Sequence, residues 1–304
     1  MFDVQPTESA GSVIPCQAFA QRVRARIPDS ARAFVWVALS AVATLPLCVS
    51  TANATHEKFS QSDLDRLIAT HACPGCNLEG VTLRDQNLRG ANLEGANLRN
   101  ADLKLIDLSE ANLKGADLTG AEIEKADLSG ADMTAAVLQD ADLEKVDMIG
   151  TDLTAVNFGW ADLENANLPE ARLVGTDLRN ANLRRAILDE TYIANAQLDR
   201  ADMERVSLRK AVVGDSTLDA ANLKRANLRG ATIDSASFRN AILDRAALQG
   251  AVISASEFAD ASLRLASLHG TVLNDPLDLM QAQLDEACGD AETRLPEGLT
   301  VGSC

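Results

Sequence analysis

The chain has 304 residues, 28 Lys and Arg against 44 Asp and Glu for a formal net charge of −16, and a composition 46% hydrophobic but only 3% aromatic. That is ample apolar material for a core, and the acidic balance excludes general attraction to nucleic acid. The three histidines, His56, His71 and His269, are too scattered for a metal-binding pair, and no Ser-His-Asp set or glycine-rich phosphate loop stands out.

Residues 1–54 read as a leader. Arg22, Arg24, Arg26 and Arg32 precede an uncharged apolar stretch over 33–45 that contains Trp36. Pro46 follows, and Ala52-Asn53-Ala54 is a small-x-small cleavage signature. This is the pattern of a secretory signal peptide cut near Ala54, giving a periplasmic or secreted chain. The competing reading is a retained membrane anchor over 33–49, although the stretch is short for spanning and broken by Pro46. A lipid anchor at Cys48 fits less well, because Leu47 stands where a small residue is wanted.

Residues 55–75 are expected to form an N-terminal cap. Ser60 to Ala69 begins with capping residues and places Leu64, Leu67 and Ile68 at helical spacing, predicting a short amphipathic helix over the end of whatever follows. Cys73 and Cys76 come next, in a C-x-x-C spacing that also suits a metal or a redox pair. With Cys16 and Cys48 lost in the leader, Cys73, Cys76, Cys288 and Cys304 remain, an even number that suits disulfides in an oxidising compartment.

From Leu78 to Leu273 every fifth residue is Leu, Ile, Met, Phe or Val, 40 units without interruption. Ala stands two positions earlier in 27 of the 40, and Asp or Asn between them in 21, as in Ala91-Asn92-Leu93 and Ala116-Asp117-Leu118. Period five gives no apolar face on a helix, and on a flat strand it throws successive Leu to opposite faces. The backbone must therefore turn a corner in every unit, with Leu and Ala inward and the Asx residue and its two followers outward. Such a unit buries its apolar side only by stacking on neighbours. Gln86 and Ile106 are the poorest fits among the inward positions.

Beyond 275 the register slips by one at Asp275-Pro276 and resumes with Leu279 and Leu284, so 276–304 is expected to be a C-terminal cap with a Cys-containing tail.

Tandem Ala-(Asp/Asn)-Leu-X-X resembles the pentapeptide-repeat family, and the resemblance covers about two-thirds of the chain. It implies an all-β, right-handed quadrilateral parallel β-helix of about ten coils over 76–275, with a short N-terminal capping helix. Phe158, Phe238 and Phe258 would then lie on one wall, because they are 80 and 20 residues apart. A rod of that length puts the two Cys pairs about 45–50 Å apart, which leaves Cys73–Cys76 with Cys288–Cys304 as the reachable pairing. Cys73-Pro-Gly-Cys76-Asn-Leu and Ala287-Cys288-Gly-Asp are similar to the ends of exported bacterial members. The implied body has no polar cleft, so no catalytic, cofactor or metal site is expected.

The expected role is that of an exported, non-catalytic scaffold or protein-binding element of the cell envelope. An acidic rod also resembles a subset of the family, the gyrase-protecting quinolone-resistance proteins, which are similar to duplex DNA in shape and charge. That alternative requires a topoisomerase partner, and the leader points away from the cytoplasm.

Surface columns twenty residues apart mark two candidate contacts. Tyr192, Val212, Val252 and Val272 occupy the outward position on one wall where Asp or Asn is the rule, which suggests contact with a partner or a second copy. Arg184, Arg185, Arg205, Arg209, Lys210, Lys224, Arg225 and Arg229 cluster on two adjacent walls. Asp107, Glu110, Asp127, Asp147, Glu170, Asp189 and Glu190 make an acidic wall. The partner is expected to be a protein or envelope component rather than nucleic acid, with membrane contact only through an uncleaved leader.

Overall fold

The structure, a computed structural model, describes residues 59–304. The leader and anchor readings for residues 1–54 lie outside the described residues, and no helix among those described is long and apolar enough to cross a membrane.

Each five-residue unit builds one side of a parallel β-solenoid. Its outward Asx residue bridges the residue twenty positions on, from Ala72↔Asn92 down to Glu257↔Leu277. The hydrogen bonds run between coils. The amide of Leu98 donates to the carbonyl of Asp117 at 2.7 Å, and the amide of Asp117 to the carbonyl of Ala96 at 2.9 Å. Corners close within the unit, as where the Ala101 amide donates to the Leu98 carbonyl at 3.1 Å. Asx side chains reinforce them: Asp117 Oδ1 accepts from both the amide and the hydroxyl of Thr119, at 3.0 and 2.6 Å.

The last residue of each unit carries a positive φ, for example Gly95 at 62°, Lys125 at 57° and Arg225 at 58°. This left-handed step turns the corner, and it accounts for Gly at many of these sites. That Lys, Arg and Glu fill others shows that the ladder overrides a local preference of about 1–2 kcal/mol per residue.

Inside, the stacked Leu and Ala are fully buried, and Ile106 is buried with them. Polar substitutes for Ala bond to the backbone. Thr151, Thr176 and Thr271 hydroxyls donate to the carbonyls of Leu128, Leu153 and Leu248 at 3.0, 2.9 and 2.7 Å. Gln86 departs from the inward expectation. It is exposed and lines, with Leu64, Ile68, Thr82 and Leu83, a depression of ≈ 420 Å³ beside the capping helix.

That helix, α1 (Gln61–Thr70), starts at Ser60, whose side chain accepts from the Asp63 amide, and ends at His71 in the left-handed region. Leu67 is fully buried and Leu64 packs on the core, while Ile68 remains 50% exposed. Three-residue strands appear on a single wall: β1 (Arg172–Val174), β2 (Tyr192–Ala194), β3 (Val212–Gly214), β4 (Thr232–Asp234), β5 (Val252–Ser254) and β6 (Val272–Asn274), paired in that order. The expectation of about ten coils thus meets a ladder of two kinds. Continuous strands account for about five turns, and single bridges carry the same step through the remaining repeats.

The far end closes with α2 (Gln281–Leu284), β7 (Cys288–Gly289) and β8 (Gly302–Ser303). The inserted residues stretch the step, so that Ser267 bridges Cys288 and Val272 bridges Arg294. Leu284 is fully buried. The Gln283 amide donates to the Phe258 and Ala261 carbonyls at 2.7 and 2.9 Å, covering acceptors at the open coil edge.

Candidate interaction surface

The wall of β1–β6 carries the first candidate surface. After Asp152 no Asp or Asn occupies its outward position. The residues there are Arg172, Tyr192, Val212, Thr232, Val252 and Val272. Loss of the Asx cap accompanies the strands here, but Val137, Ile187, Thr217 and Ile242 on other walls also lack it and form single bridges, so the missing cap does not by itself make a strand. Tyr192, Val212 and Val252 are 46%, 43% and 38% exposed, whereas Val272 is half-buried. The Arg172 guanidinium sits 5.3 Å from the Tyr192 ring centroid. Flanking residues are mostly small or uncharged, including Gly175, Ala194, Gly214, Ser254 and Ala255, with Asp215, Asp234 and Asp275 the acids among them.

Much of the basic cluster is already paired. Arg184 reaches Asp202 and Glu204 at 3.4 and 3.2 Å, Arg185 reaches Glu164 at 2.9 Å, and Arg205 reaches Glu204 at 3.7 Å. Arg209 lies 3.8 Å from Asp189, and Lys210 2.8 Å from Glu190. Lys224 and Arg225 make no ion pair among the described residues, and together with Glu204, Asp244, Arg245, Arg264 and Leu265 they line a depression of ≈ 400 Å³. Arg245 and Arg264 were not singled out from the sequence, though the same twenty-residue tally contains them.

The acidic wall is not a bare stripe of charge. Asp107 accepts from the Ser109 hydroxyl, which holds its carboxyl below the ordinary value. Asn167 donates to Asp147 at 2.7 Å, and Arg89 pairs with Glu110 at 2.6 Å. On the neighbouring wall, burial first, and then the nearby Glu124 and Asp162, push the Asp142 carboxyl up. Asp177 moves the other way, held down by the Arg179 guanidinium at 2.6 Å.

Both ends carry a disulfide. Cys73–Cys76 has a Cα separation of 5.4 Å, and Cys288–Cys304 one of 5.0 Å. Asp63 lies close enough to Cys73 and Cys76 to suggest a metal set. Both sulfurs are committed to the bond, however, so no thiolate is available as a ligand. The two cysteines are buried beneath α1, which makes this pair a staple of the cap.

No curated protein sequence matches the chain. Among solved structures, it is 30% identical to HetL, a pentapeptide repeat protein involved in heterocyst differentiation regulation from the cyanobacterium Nostoc sp. strain PCC 7120. That match covers 76% of this chain and 97% of HetL, with a TM-score of 0.43. Full-length QnrB1, a plasmid-mediated fluoroquinolone resistance protein, is 16% identical over 71% of this chain and 94% of its own, with a TM-score of 0.34. Rfr23, a pentapeptide repeat protein from the cyanobacterium Cyanothece 51142, is 18% identical over 77% and 97%, with a TM-score of 0.16. The family model described as pentapeptide repeats matches residues 76–115, 106–134, 131–169, 166–205, 207–245 and 234–270. With that repeat running through most of its length and building the solenoid coil by coil, this chain belongs to the pentapeptide-repeat family.

Proposed function

We propose that the protein is an exported, non-catalytic scaffold that binds another protein at the cell envelope. The carrying observation is the arrangement of β1–β6: one column of paired strands that exposes Tyr192, Val212 and Val252, with Thr232 between the two valines. An aliphatic core leaves the interior filled, so recognition falls to the outside. Contiguous exposed apolar groups rimmed by polar ones are the usual signature of a protein contact. The cysteine staples at both ends suit an oxidising compartment, and the leader features of residues 1–54 supply the route.

Cell fractionation with intact mass tests the export half. The expected species is periplasmic, begins near Thr55, and is lighter than its reduced form by the hydrogens of two disulfides. A full-length cytoplasmic species with free thiols would remove this reading. It would favour the DNA-mimic alternative instead, for which the acidic composition is the supporting observation. The binding half is tested on the wall itself. Val212→Asp with Val252→Asp places charge on exposed side chains, so association should weaken by about tenfold or more with the fold intact. Unchanged molar mass and partner binding by light scattering would sink the assignment of this wall.

A further inference from the structure

The corner position of one wall stacks four arginines in successive coils: Arg185, Arg205, Arg225 and Arg245. Their register is set by the backbone. The amides of these four donate to the carbonyls of Glu204, Lys224, Asp244 and Arg264 at 3.0, 2.9, 2.9 and 2.8 Å. All four carry a φ near 60°, and all four are exposed. Adjacent coils lie about 4.8 Å apart, so this is a column of like charges at strand spacing, an arrangement that destabilises a ladder when nothing neutralises it.

Lower on the same wall the neighbouring column is acidic, with Glu124, Glu144 and Glu164, and Glu164 takes Arg185. Glu204 takes Arg205 at 3.7 Å. Beyond it that neighbour becomes Lys224, and Asp244, which accepts from the Ser262 hydroxyl at 2.5 Å, shares the depression with Arg225 and Arg245 but makes no ion pair with either. Arg225 and Arg245 therefore have no ion-pair partner among the described residues, on a chain whose net charge is −16. The column ends at Leu265, which is 51% exposed.

We propose that this arginine column binds an acidic α-helix of a partner protein, laid along the solenoid axis with its carboxylates one turn apart. A helix repeats every 5.4 Å against about 4.8 Å for the coils, a mismatch under 2 Å over three steps that long arginine side chains absorb. Leu265 then meets an apolar residue of the helix one turn past the last carboxylate. A helix about 10–12 Å across occupies one wall. A larger polyanion such as duplex nucleic acid would overlap the flanking acids Asp189, Asp202 and Glu204, which oppose it. The inference rests on the protein-binding reading above and adds a second contact surface, because Arg185 lies two five-residue units along the coil from β1, on the opposite side from Tyr192 and the valines.

The test is a titration of the full-length purified chain with a labelled helical peptide of roughly 20 residues bearing Glu at i, i+4, i+7 and i+11 and Leu one turn on, followed by fluorescence anisotropy. A Gln-for-Glu version should bind about tenfold or more weakly, and raised salt should weaken the Glu peptide. Arg225→Ala with Arg245→Ala should cost about tenfold or more with an unchanged melting curve, whereas Arg99→Ala, on a different part of the surface, should leave binding unaltered. Equal binding of the Glu and Gln peptides, or no binding of either, overturns the proposal. Displacement of the helix by an equal charge of oligonucleotide or of unstructured poly-Glu overturns the helical occupant. None of these results bears on export, which the mass measurement decides independently.

Discussion

Replacing Phe238 with Ala is expected to lower the unfolding free energy by about 3–5 kcal/mol, the usual cost of removing a buried aromatic ring. Phe238 is 1% exposed and stacks on Phe258, with ring centroids 5.3 Å apart and planes at 11°. About 0.5–1.5 kcal/mol of the loss belongs to the ring pair beyond its area. The double replacement with Phe258→Ala should therefore cost less than the sum of the singles. Phe158 supplies the control, because it is equally buried but four coils away from the pair. Its replacement should add to Phe238→Ala without coupling. Each wall of this solenoid puts one central side chain per coil into a thin core, so few neighbours can move to fill a void, which places the expected cost toward the upper end. Urea denaturation followed by circular dichroism measures it, and a loss under about 1 kcal/mol would show that the coils close over the cavity.

Breaking the C-terminal staple should act differently. Cys304→Ser opens a loop with a sequence separation of 16, and chain entropy sets the stabilisation lost at about 3 kcal/mol. The tail it holds is otherwise tied by the short pairing of β7 with β8 and by Gln281, whose amide group bonds the carbonyl and amide of Thr300 at 3.0 and 2.9 Å. In a solenoid each coil contacts only its neighbours, so the loss should stay local. Hydrogen exchange over 288–303 should quicken by about a hundredfold while the central coils keep their protection. Uniform acceleration along the whole chain would instead show that the cap controls global unfolding. The Cys73–Cys76 bond closes a separation of only 3, and its removal should cost less, about 2 kcal/mol.

Period five determined most of this architecture without further help. A residue spacing that suits neither helix nor strand admits only a backbone that turns in every unit, and 40 unbroken units admit no second domain within them. The inward Leu and Ala and the helix near residue 60 were legible for the same reason, since each follows from local spacing or capping, whereas the register slip read at Asp275-Pro276 falls later, after the Glu257↔Leu277 bridge, which keeps the twenty-residue step. The left-handed corners were not. Gly hints at them, but Lys125 and Arg225 adopt the same φ only because inter-coil hydrogen bonds on both sides hold it.

Gln86 shows the opposite limit. Its place in the repeat points inward, yet it lies in the first coil beside α1 and its amide donates to the Arg84 carbonyl at 3.3 Å, so a polar group there escapes burial. The surface was legible as columns but not as chemistry. Sequence tallies grouped Arg184, Arg185, Arg205 and Lys224 together, while the structure separates the paired arginines from Arg225 and Arg245, which are exposed and make no ion pair among the described residues. Likewise, the exposed valines proved to lie on the one wall with true strands. Local spacing thus set which residues point inward, a matter of one unit. Which charges are paired and which wall forms strands depended on residues about twenty positions apart, and only stacking of the coils brings those together.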